Sequence, residues 1–565
     1  KGAWYVVGSD VLGPMGHDRC YRNRITTRYY INSVTGGSDF LDFDSAAELP
    51  NPWIRSTCGI GPLPCNGLYY AGPPSCACCN SVMLNAINAL ATVRDPGKPV
   101  GPVGAEKGPT IEEGPAFAFA GSAKGEVGEG DWPACRHDGE RTGATKVGVS
   151  AALAKRWEAR VGACASAPVI AGGKVFVADV DGHAVCALDA ASGEVAWRFV
   201  TEGRVDSPPA FFEGLVLFGS RDGSVYCARA SDGALAWRFV PLERRMICAY
   251  GQPESAWPVC GSVLVRDGLA YFAAGRNSFI DGGISLYALD ARTGKIVHER
   301  RVEGPYDERG FPKENRDVVG GMSIEGFKAD IFLASGDRFY LRHQGFNRDL
   351  SPVGLGEVHE PHLIPSHGFL AAIPHHRSFW TIDTALRYDI PTGFGGVHGD
   401  ILVQDGERFY EVRGYQPGRT ESFDPRPGGY TLFAGTLGGK PSVVAGGEKA
   451  KARRGRKGKK AKAVSGFVSS TKVWSSSIPL TGKAMTLAGD VLFVAGTPVV
   501  FPVGDLARAY EGRMGGVLWA ASAATGEKLA EYKLDAAPAW DGLAAANRSL
   551  FVSLADGRVV CMGPK

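Results

Sequence analysis

Two segments, Asp181–Phe199 and Asp222–Phe239, have nearly the same sequence, and this repeat constrains the fold more than any other feature. They read DGHAVCALDAASGEVAWRF and DGSVYCARASDGALAWRF. Each begins with an Asp-Gly pair flanked by apolar residues, which indicates a tight β-hairpin because glycine adopts the positive φ that the turn needs. A second turn, at Ser192–Gly193 or Asp232–Gly233, leads into a strand that carries a tryptophan. With an apolar strand upstream, one unit is predicted to be a four-stranded antiparallel sheet of about 40 residues.

A single sheet with apolar residues on both faces cannot bury itself, so it must stack on further copies. Four strands repeating at this period are typical of a β-propeller blade. Trp197 and Trp237 stand at the same offset from the turn glycine, so we expect each to fill the wedge between two blades. Looser copies follow at 287–298 and 519–530. The predicted fold class is all-β: a β-propeller of four-stranded antiparallel blades with loop insertions, eight blades in number, with seven as the alternative.

The composition agrees with this fold, because 77 glycines and 35 prolines in 565 residues give the turn density of an all-β repeat protein. We assign 131–565 to the propeller and 94–130, rich in Gly, Pro and Glu, to a linker. Residues 1–93 are assigned to degenerate N-terminal blades with a cysteine-rich insertion, within the same closed propeller. The C-terminal strand near Cys561 is predicted to pair with a strand from the N-terminal region, because an open ring would expose an edge.

The strand and turn ALDAASGEVAW at Ala187–Trp197, preceded by the Asp-Gly hairpin, resemble the quinoprotein (PQQ-like) propeller repeat. The stretch DWPACRHDGERTG at Asp131–Gly143 is similar to the segment that often precedes such repeats. This repeat occurs in pyrroloquinoline-quinone (PQQ) dehydrogenases and in the non-catalytic propeller lipoprotein of the outer-membrane barrel-assembly machinery. The resemblance implies an extracytoplasmic protein, periplasmic or secreted. It implies a binding or scaffolding module, with a PQQ-dependent dehydrogenase as the alternative.

The cofactor that this resemblance raises is PQQ with calcium. Adjacent half-cystines cover the quinone in some of these dehydrogenases, and Cys78–Cys79 are adjacent. The pair lies outside the clear repeats, however, no Glu, Asn and Asp trio for calcium can be assigned, and the chain has no CxxCH haem signature. We therefore assign no cofactor and keep PQQ with calcium as an alternative.

Five of the 13 cysteines crowd into one loop-like region: Cys58, Cys65, Cys76, Cys78 and Cys79. In an oxidising compartment such a cluster is a disulfide staple for a poorly cored segment, and our candidate disulfide residues are Cys58, Cys65, Cys76 and Cys78. A structural metal or free thiols are the alternatives. Cys186, Cys227 and Cys561 lie inside predicted strands, where we expect them to be small buried hydrophobes.

The segment Lys449–Lys462, KAKARRGRKGKKAK, holds nine basic residues and no acid, so the formal charge of +3 hides an acidic remainder. We predict a solvated low-complexity loop at about 446–466. A tether for nucleic acid or another anionic polymer is the alternative, but no aromatic residue is interleaved to stack bases, so no specific nucleic-acid partner is expected. No run of eighteen apolar residues occurs, and no transmembrane segment is predicted. The start at Lys1 suggests a mature form or a fragment.

Seven of the 11 histidines fall where the repeats are hardest to recognise: His343, His359, His362, His367, His375, His376 and His398. Imidazole titrates near neutrality and binds metals. HEPH at 359–362 lacks the spacing of a helical zinc site, and scattered loop histidines are the interpretation that we favour. The alternative is a propeller-type polysaccharide lyase or hydrolase, in which His, Tyr and Arg transfer protons at the channel mouth.

A propeller ligand is expected where the loops that lead into the innermost strands converge, because they form the concave surface that all blades share. The segment AYGQPESAWP at 249–258 is the richest of these loops in polar and aromatic groups. It also departs from the repeat, as functional segments do. The predicted ligand-binding residues are Asp206, Arg245, Tyr250, Glu254, Trp257, Trp540 and Asp541. They suit a protein partner or a carbohydrate, and no catalytic residue is assigned.

Overall fold

The computed structural model of the chain describes residues 23–32, 38–51, 54, 56, 61–72, 87–91, 108–123, 125–249, 251–304, 328–329, 331–342, 344–353, 360–365, 368–370, 379–384, 396–406, 408–414, 424–438 and 468–565. The regular structure of these residues is almost entirely β.

Two small antiparallel sheets come first. One contains β1 (Arg24–Ile25), β2 (Tyr29–Asn32), β3 (Ser38–Asp42) and β4 (Glu48–Asn51), and the other contains β5 (Leu63–Cys65), β6 (Leu68–Ala71) and β7 (Asn88–Ala91). Ile31, Ile54, Tyr69 and Ala71 form an apolar cluster between them. That these sheets are blades of the same closed propeller stays a prediction.

The chain continues through β8 (Thr110–Glu113), α1 (Phe117–Gly121), β9 (Ala144–Thr145) and β10 (Leu153–Arg160). The two clear repeats follow as β11 (Val169–Ala171), β12 (Lys174–Asp179), β13 (Ala184–Asp189) and β14 (Val195–Val200), then β15 (Ala210–Phe212), β16 (Leu215–Gly219), β17 (Val225–Arg229) and β18 (Leu235–Val240). Each is a four-stranded meander, and β8 adds a fifth strand beside β18. The segment 94–130, predicted as a linker, thus contains a strand and a helical turn. Its Thr-Ile-Glu-Glu run forms a strand because it pairs with the edge of β18.

A hairpin of β19 (Met246–Ala249) and β20 (Gln252–Ser255) precedes the next sheet, β21 (Leu264–Arg266), β22 (Leu269–Ala274), β23 (Ile284–Asp290) and β24 (Ile296–Val302). Two three-stranded sheets follow: β25 (Phe332–Ser335), β26 (Arg338–Leu341) and β27 (Gln344–Phe346), then β28 (His362–Pro365), β29 (Trp380–Asp383) and β30 (Val397–Gly399).

The last third holds a sheet of β31 (Ile401–Asp405), β32 (Arg408–Arg413), β33 (Tyr430–Leu437) and β34 (Ser470–Ile478). Next come β35 (Ala484–Ala488), β36 (Val491–Gly496), α2 (Leu506–Tyr510), β37 (Gly516–Ser522) and β38 (Lys528–Leu534), with β9 parallel to β35. The chain ends with β39 (Pro538–Ala546), β40 (Ser549–Leu554) and β41 (Arg558–Pro564). The predicted all-β propeller class with four-stranded antiparallel blades is confirmed, and the number of blades stays a prediction.

The ring closes because the last strand pairs with the strand that precedes the first repeat. β41 runs antiparallel to β10, from Leu153 opposite Pro564 to Arg160 opposite Arg558, in a sheet ordered β10-β41-β40-β39. The pairing predicted for the C-terminal strand is thus made by residues 153–160. Closure removes the edge that β41 would otherwise present.

The recurrent tryptophan joins neighbouring sheets. Trp197, on the outermost strand β14, packs on Gly233 in the turn of the next sheet, where a Cβ would lie 2.8 Å from its ring. Its indole N–H donates to the Ala230 carbonyl of that turn at 2.9 Å. Gly233 has φ +74°, so glycine satisfies both the turn and the close ring contact. The same packing on a turn glycine is made by Trp157 on Gly193, Trp237 on Gly294 and Trp474 on Gly526.

Residues 130–145, here called the axial segment, link the sheets at the centre of the ring. Their backbone bonds to residues in or beside strands of six different sheets: Trp132 with Ile170, Pro133 with Phe211, Gly139 with Ala334, Thr142 with Gln404, Gly143 with Leu487 and Gly130 with Asn547, at 2.7–3.0 Å. A segment that reaches so many blades lies where their strands converge. The axial segment therefore occupies the propeller axis, and it begins with the sequence that resembles the lead-in to quinoprotein repeats.

We predict that Trp197→Ala and Trp237→Ala each lower the free energy of unfolding by about 3–5 kcal/mol, because each removes a large side chain from a packed wedge. Urea unfolding of the purified variants measures this. Val195→Ala, on the same strand as Trp197 but 53% exposed, is the control and should change stability by less than about 0.5 kcal/mol. Wild-type stability of both tryptophan variants would contradict the wedge assignment.

Candidate functional site

Arg136 and Arg141 fix the axial segment to the surrounding sheets. Arg141 is fully buried and donates to Phe332 O at 3.1 Å, to Cys135 O at 3.0 Å and to Ser262 Oγ at 2.9 Å. These acceptors are uncharged, and burial lowers the pKa of the Arg141 guanidinium. Arg136 forms a buried ion pair with Asp541 and bonds to Leu402 O. The predicted site residue Asp541 is therefore the counter-ion of the axial segment.

Aromatic rings cover this ion pair. The Arg136 guanidinium lies 4.4 Å from the centre of the Trp380 ring. Trp380 is nearly parallel to Trp540, with ring centres 6.1 Å apart and planes inclined by 5°. Phe369 adds an edge contact to Trp540 at 5.3 Å. Trp540, predicted as a ligand contact, is thus part of a packed aromatic cluster at the axis.

A second ionic network lies on the loops around β16, β20 and β22. Arg221, 1% exposed, pairs with Asp206 and, at 3.1 Å, with Glu254. Glu254 pairs also with Arg276. Arg221 donates to Phe369 O at 2.7 Å, which connects this network to the aromatic cluster. The structure therefore brings together the predicted residues Asp206 and Glu254, and links them to Trp540 through Phe369.

The predicted recognition segment is more buried than a direct contact surface would be. Trp257 and Glu254 are each 2% exposed. The Trp257 indole N–H donates to Asp281 O at 2.8 Å. Arg245 is 43% exposed, bonds to Asp281 at 3.0 Å and lies over the Trp257 ring. Tyr250 lies outside the described residues. Because Glu254 neutralises two arginines, replacing it would destabilise the fold. Ligand binding by these residues stays a prediction.

A third cluster is on the loops around β31, β33 and β35. Asp424 accepts from Tyr430 Oη at 2.6 Å and from Arg426 at 3.2 Å, and lies 3.5 Å from Lys483 Nζ. Burial opposes its ionisation, but the charges of Lys483 and Arg426 hold the pKa of Asp424 below its usual value. Asp400 faces the same groups, and there burial raises the carboxyl pKa to about 7.

Glu411 lies beneath this third cluster on β32. It is fully buried, and its charged partner is Arg413. Burial raises the pKa of Glu411 to about 8. Desolvation makes the ionised carboxylate costly and so favours its protonated form.

The other predicted groups are only partly described. His362 and His398 are buried in strands β28 and β30, not in loops as we expected. His362 stacks on Tyr340 at 3.7 Å. The other five histidines of that group lie outside the described residues. Cys65 is a free, exposed cysteine, and the candidate partners Cys58, Cys76 and Cys78 lie outside the described residues, as do Cys79 and Lys449–Lys462. The disulfide staple stays a prediction. Cys186, Cys227 and Cys561 are buried in strands, as expected of small hydrophobes.

Within the described ranges, no three His, Cys, Asp or Glu side chains come together as metal ligands. The axial segment contacts the aromatic cluster through Arg136 and Trp380. Two solvent-open cavities of about 370 and 320 Å³ lie beside the axial segment, one at Asp138–Glu140 and the other at Glu129–Gly130.

Comparison with known proteins agrees with the repeat. The family model described as outer membrane protein assembly factor BamB matches residues 150–204 and 185–319, less than half of the chain. The BamB of Moranella endobia (strain PCIT) is 27% identical over 176 residues, which are 31% of this chain and 43% of that protein. The match thus spans less than half the length of this curated relative. The resemblance to the PQQ-like propeller repeat is confirmed.

Solved structures with related shapes belong to both classes that carry this repeat. BamB from Moraxella catarrhalis is 12% identical and covers 73% of this chain and 98% of its own, with a TM-score of 0.39. Quinohemoprotein alcohol dehydrogenase from Comamonas testosteroni is 15% identical and covers 80% and 82%, with a TM-score of 0.44.

Sequence reasoning missed the arginines that organise the site. Arg136 and Arg141 lie in the Asp131–Gly143 stretch. Its similarity to the segment that precedes quinoprotein repeats predicts no role for these arginine side chains. Arg221 precedes a hairpin Asp-Gly pair and has no counterpart in the first repeat, where Val180 precedes Asp181-Gly182. That departure from the repeat was an available signal. Trp380 and Asp400 carry no such signal, because the repeat is not recognisable around them.

We expect Arg136→Leu to lower the free energy of unfolding by about 3–5 kcal/mol, because Asp541 is then buried without its cation. The double variant Arg136→Leu/Asp541→Leu should recover part of that loss, since no uncompensated charge remains. Urea unfolding of both proteins measures the difference. A single variant as stable as the wild type would refute the role given to this pair.

Stability should fall as pH rises from 5 to about 8, because Glu411 and Asp400 have raised pKa values and the folded state therefore binds more protons than the unfolded state. Their contribution is complete below about pH 4, near the unfolded pKa values, and is lost as pH passes 7 to 8. Each group contributes a slope of about 1.4 kcal/mol per pH unit.

Glu411→Gln should flatten this dependence, because glutamine cannot ionise. Urea unfolding at several pH values measures the slope, and Glu299→Gln, at an exposed position on β24, should leave the slope unchanged. Equal slopes in the wild type and Glu411→Gln would mean that Glu411 ionises normally.

Proposed function

We propose that the protein is an extracytoplasmic binding scaffold that holds a protein partner through the face formed by residues 241–263 and neighbouring loops. The observation that carries the proposal is the set of contacts that the axial segment makes at the centre of the ring. There the axial segment bonds to six sheets, and Arg136 pairs with Asp541 and lies over the Trp380 ring. What remains for recognition is the outer face and the blade edges.

The face suits a protein partner because its framework is fixed from beneath. Arg221 holds two loops together through Asp206 and Glu254. Arg244 and Arg245 project above it, 69% and 43% exposed. A rigid base with exposed arginines resembles the core and rim of protein interfaces, in which arginine is enriched.

The partial match to BamB suggests the setting. Its family is described as an outer membrane protein assembly factor, so we place the chain in the periplasm, associated with proteins that assemble the outer membrane. Among the described residues, no helix is long and apolar enough to cross a membrane. A carbohydrate ligand stays an alternative for the same face, without a specific contact in its favour.

The test measures binding of the purified chain to purified outer-membrane assembly proteins of its source organism. Arg244→Glu/Arg245→Glu should weaken that binding by at least about tenfold, because reversed charges at a rim repel a complementary surface. Arg513→Glu, 57% exposed on the loop after α2, is the matched control and should bind as the wild type. The proposal fails if the wild-type chain does not bind these proteins.

The same preparation distinguishes the enzymatic alternatives. Added PQQ and calcium, followed by alcohol oxidation with an artificial electron acceptor, reports a dehydrogenase. Release of unsaturated uronate from anionic polysaccharides reports a lyase. Either activity, lost in a variant of a buried axial residue that remains folded, would place an enzyme ahead of the scaffold.

A further inference from the structure

The outermost strands of the two clear repeats are near twins. β14 reads VAWRFV and β18 reads LAWRFV. Both have a bulge opposite the tryptophan, where the pairing shifts after Ala187 in one sheet and after Cys227 in the other. Their edges therefore offer the same backbone geometry and nearly the same side chains.

One of these twin edges is covered by the chain itself. β8, Thr-Ile-Glu-Glu, pairs antiparallel with β18 and places Glu112 opposite Arg238 and Ile111 opposite Phe239. The charged pair is 3.7 Å apart. Pairing continues past the strand, since Gly114 N donates to Ala236 O at 2.8 Å. The pairing of β8 with β18 is thus an example, within the chain itself, of an acidic extended segment bound to this type of edge.

The β14 edge carries the same features without a covering strand among the described residues. Val195 and Val200 are 53% and 66% exposed, and Ala196 is exposed whereas its counterpart Ala236 is buried. Arg198 stands at the Arg238 position with 39% of its side chain exposed. It bonds to Asp179 at 2.7 Å, just as Arg238 keeps bonds to Ser224 and Glu202 while it meets Glu112. The β14 edge therefore offers an added strand the same pairing positions and an arginine at the same place.

We propose that the β14 edge, Val195–Val200, binds an extended acidic segment of a partner protein as an added antiparallel strand, with a carboxylate opposite Arg198. Backbone bonds supply affinity in this mode, and the side-chain pairs supply selectivity. The inference deepens the proposed scaffold function and rests on it for the presence of a protein partner. It names a second contact, separate from the face at 241–263.

The next outermost strand, β24, is a natural contrast. His298 stands at the tryptophan position, opposite Ala288, and Glu299 stands at the arginine position, opposite Tyr287. An acidic strand on this edge would place a carboxylate against Glu299, and like charges directly opposite each other are destabilising. Arg300 and Arg301 follow on the same strand, so the two edges differ at the one position that would meet the Glu112 carboxylate.

A synthetic peptide of residues 106–115, EKGPTIEEGP, tests the proposal on the full-length chain, because it reproduces the strand that covers β18. Hydrogen exchange followed by mass spectrometry should show exchange of β14 amides slowed by about tenfold at saturating peptide. Exchange in β24 should not change. The same peptide with Ile111→Pro should have no effect, because proline cannot adopt the required pairing.

Val200→Asp should abolish this protection, since an exposed acid repels the acidic peptide without disturbing the core. Val297→Asp, 46% exposed on β24, is the matched control and should keep it. Unchanged exchange in β14 of the wild type overturns the proposal, as does equal protection of β24. A concentration-dependent dimer that Val200→Asp dissolves would also overturn it, because a second copy would then be the occupant.

The outcome is independent of the face at 241–263. If Val200→Asp binds the assembly proteins as the wild type does while Arg244→Glu/Arg245→Glu does not, the edge proposal is wrong and the scaffold function stands. If peptide protection is seen but no assembly protein binds, the edge is real and the proposed setting is wrong.

Discussion

Backbone hydrogen bonds between the axial segment and six sheets are the constraint on which the rest of the structure depends. Each blade has two apolar faces and gains stability by packing on its neighbours, so the ring is a set of pairwise contacts. The axial segment adds contacts that no neighbouring pair supplies, because one stretch of sixteen residues reaches blades on all sides of the axis. Together with the β10–β41 pairing, it makes the ring a closed unit.

Charge at the centre follows from that arrangement. Arg136 and Arg141 are carried to the axis by the segment and cannot reach water, so acceptors must be provided by the sheets. Asp541 supplies one countercharge, and carbonyl oxygens together with Ser262 Oγ supply the remaining acceptors. Arg221 is buried in the same way, and its charge is neutralised by Asp206 and Glu254. Breaking a buried pair costs more than the pair contributes, so these residues rigidify the loops that they join.

The contacts of the axial segment bear on where function can be placed. The same fold framework holds enzymes and non-catalytic modules, so the framework does not decide between them. Among the described residues, Arg136, Asp541, Trp380 and Trp540 are engaged with one another, whereas Arg244, Arg245 and the valines of the β14 edge are exposed. β8 gives direct evidence that such an edge accepts a strand. A partner strand bound at β14 would form the same type of pairing that β8 already forms with β18.

The sequence alone determined the repeat and therefore the fold, because hairpin glycines, apolar alternation and recurring tryptophans are local patterns contained within each repeat. It also indicated the region around 249–258, since a departure from a repeat is visible without coordinates. Which turn glycine Trp197 meets, which carboxylate neutralises Arg136 and which strand covers β18 were decided by the tertiary structure. These partners lie 36 to 405 residues apart or in neighbouring blades, and only ring closure brings them within bonding distance.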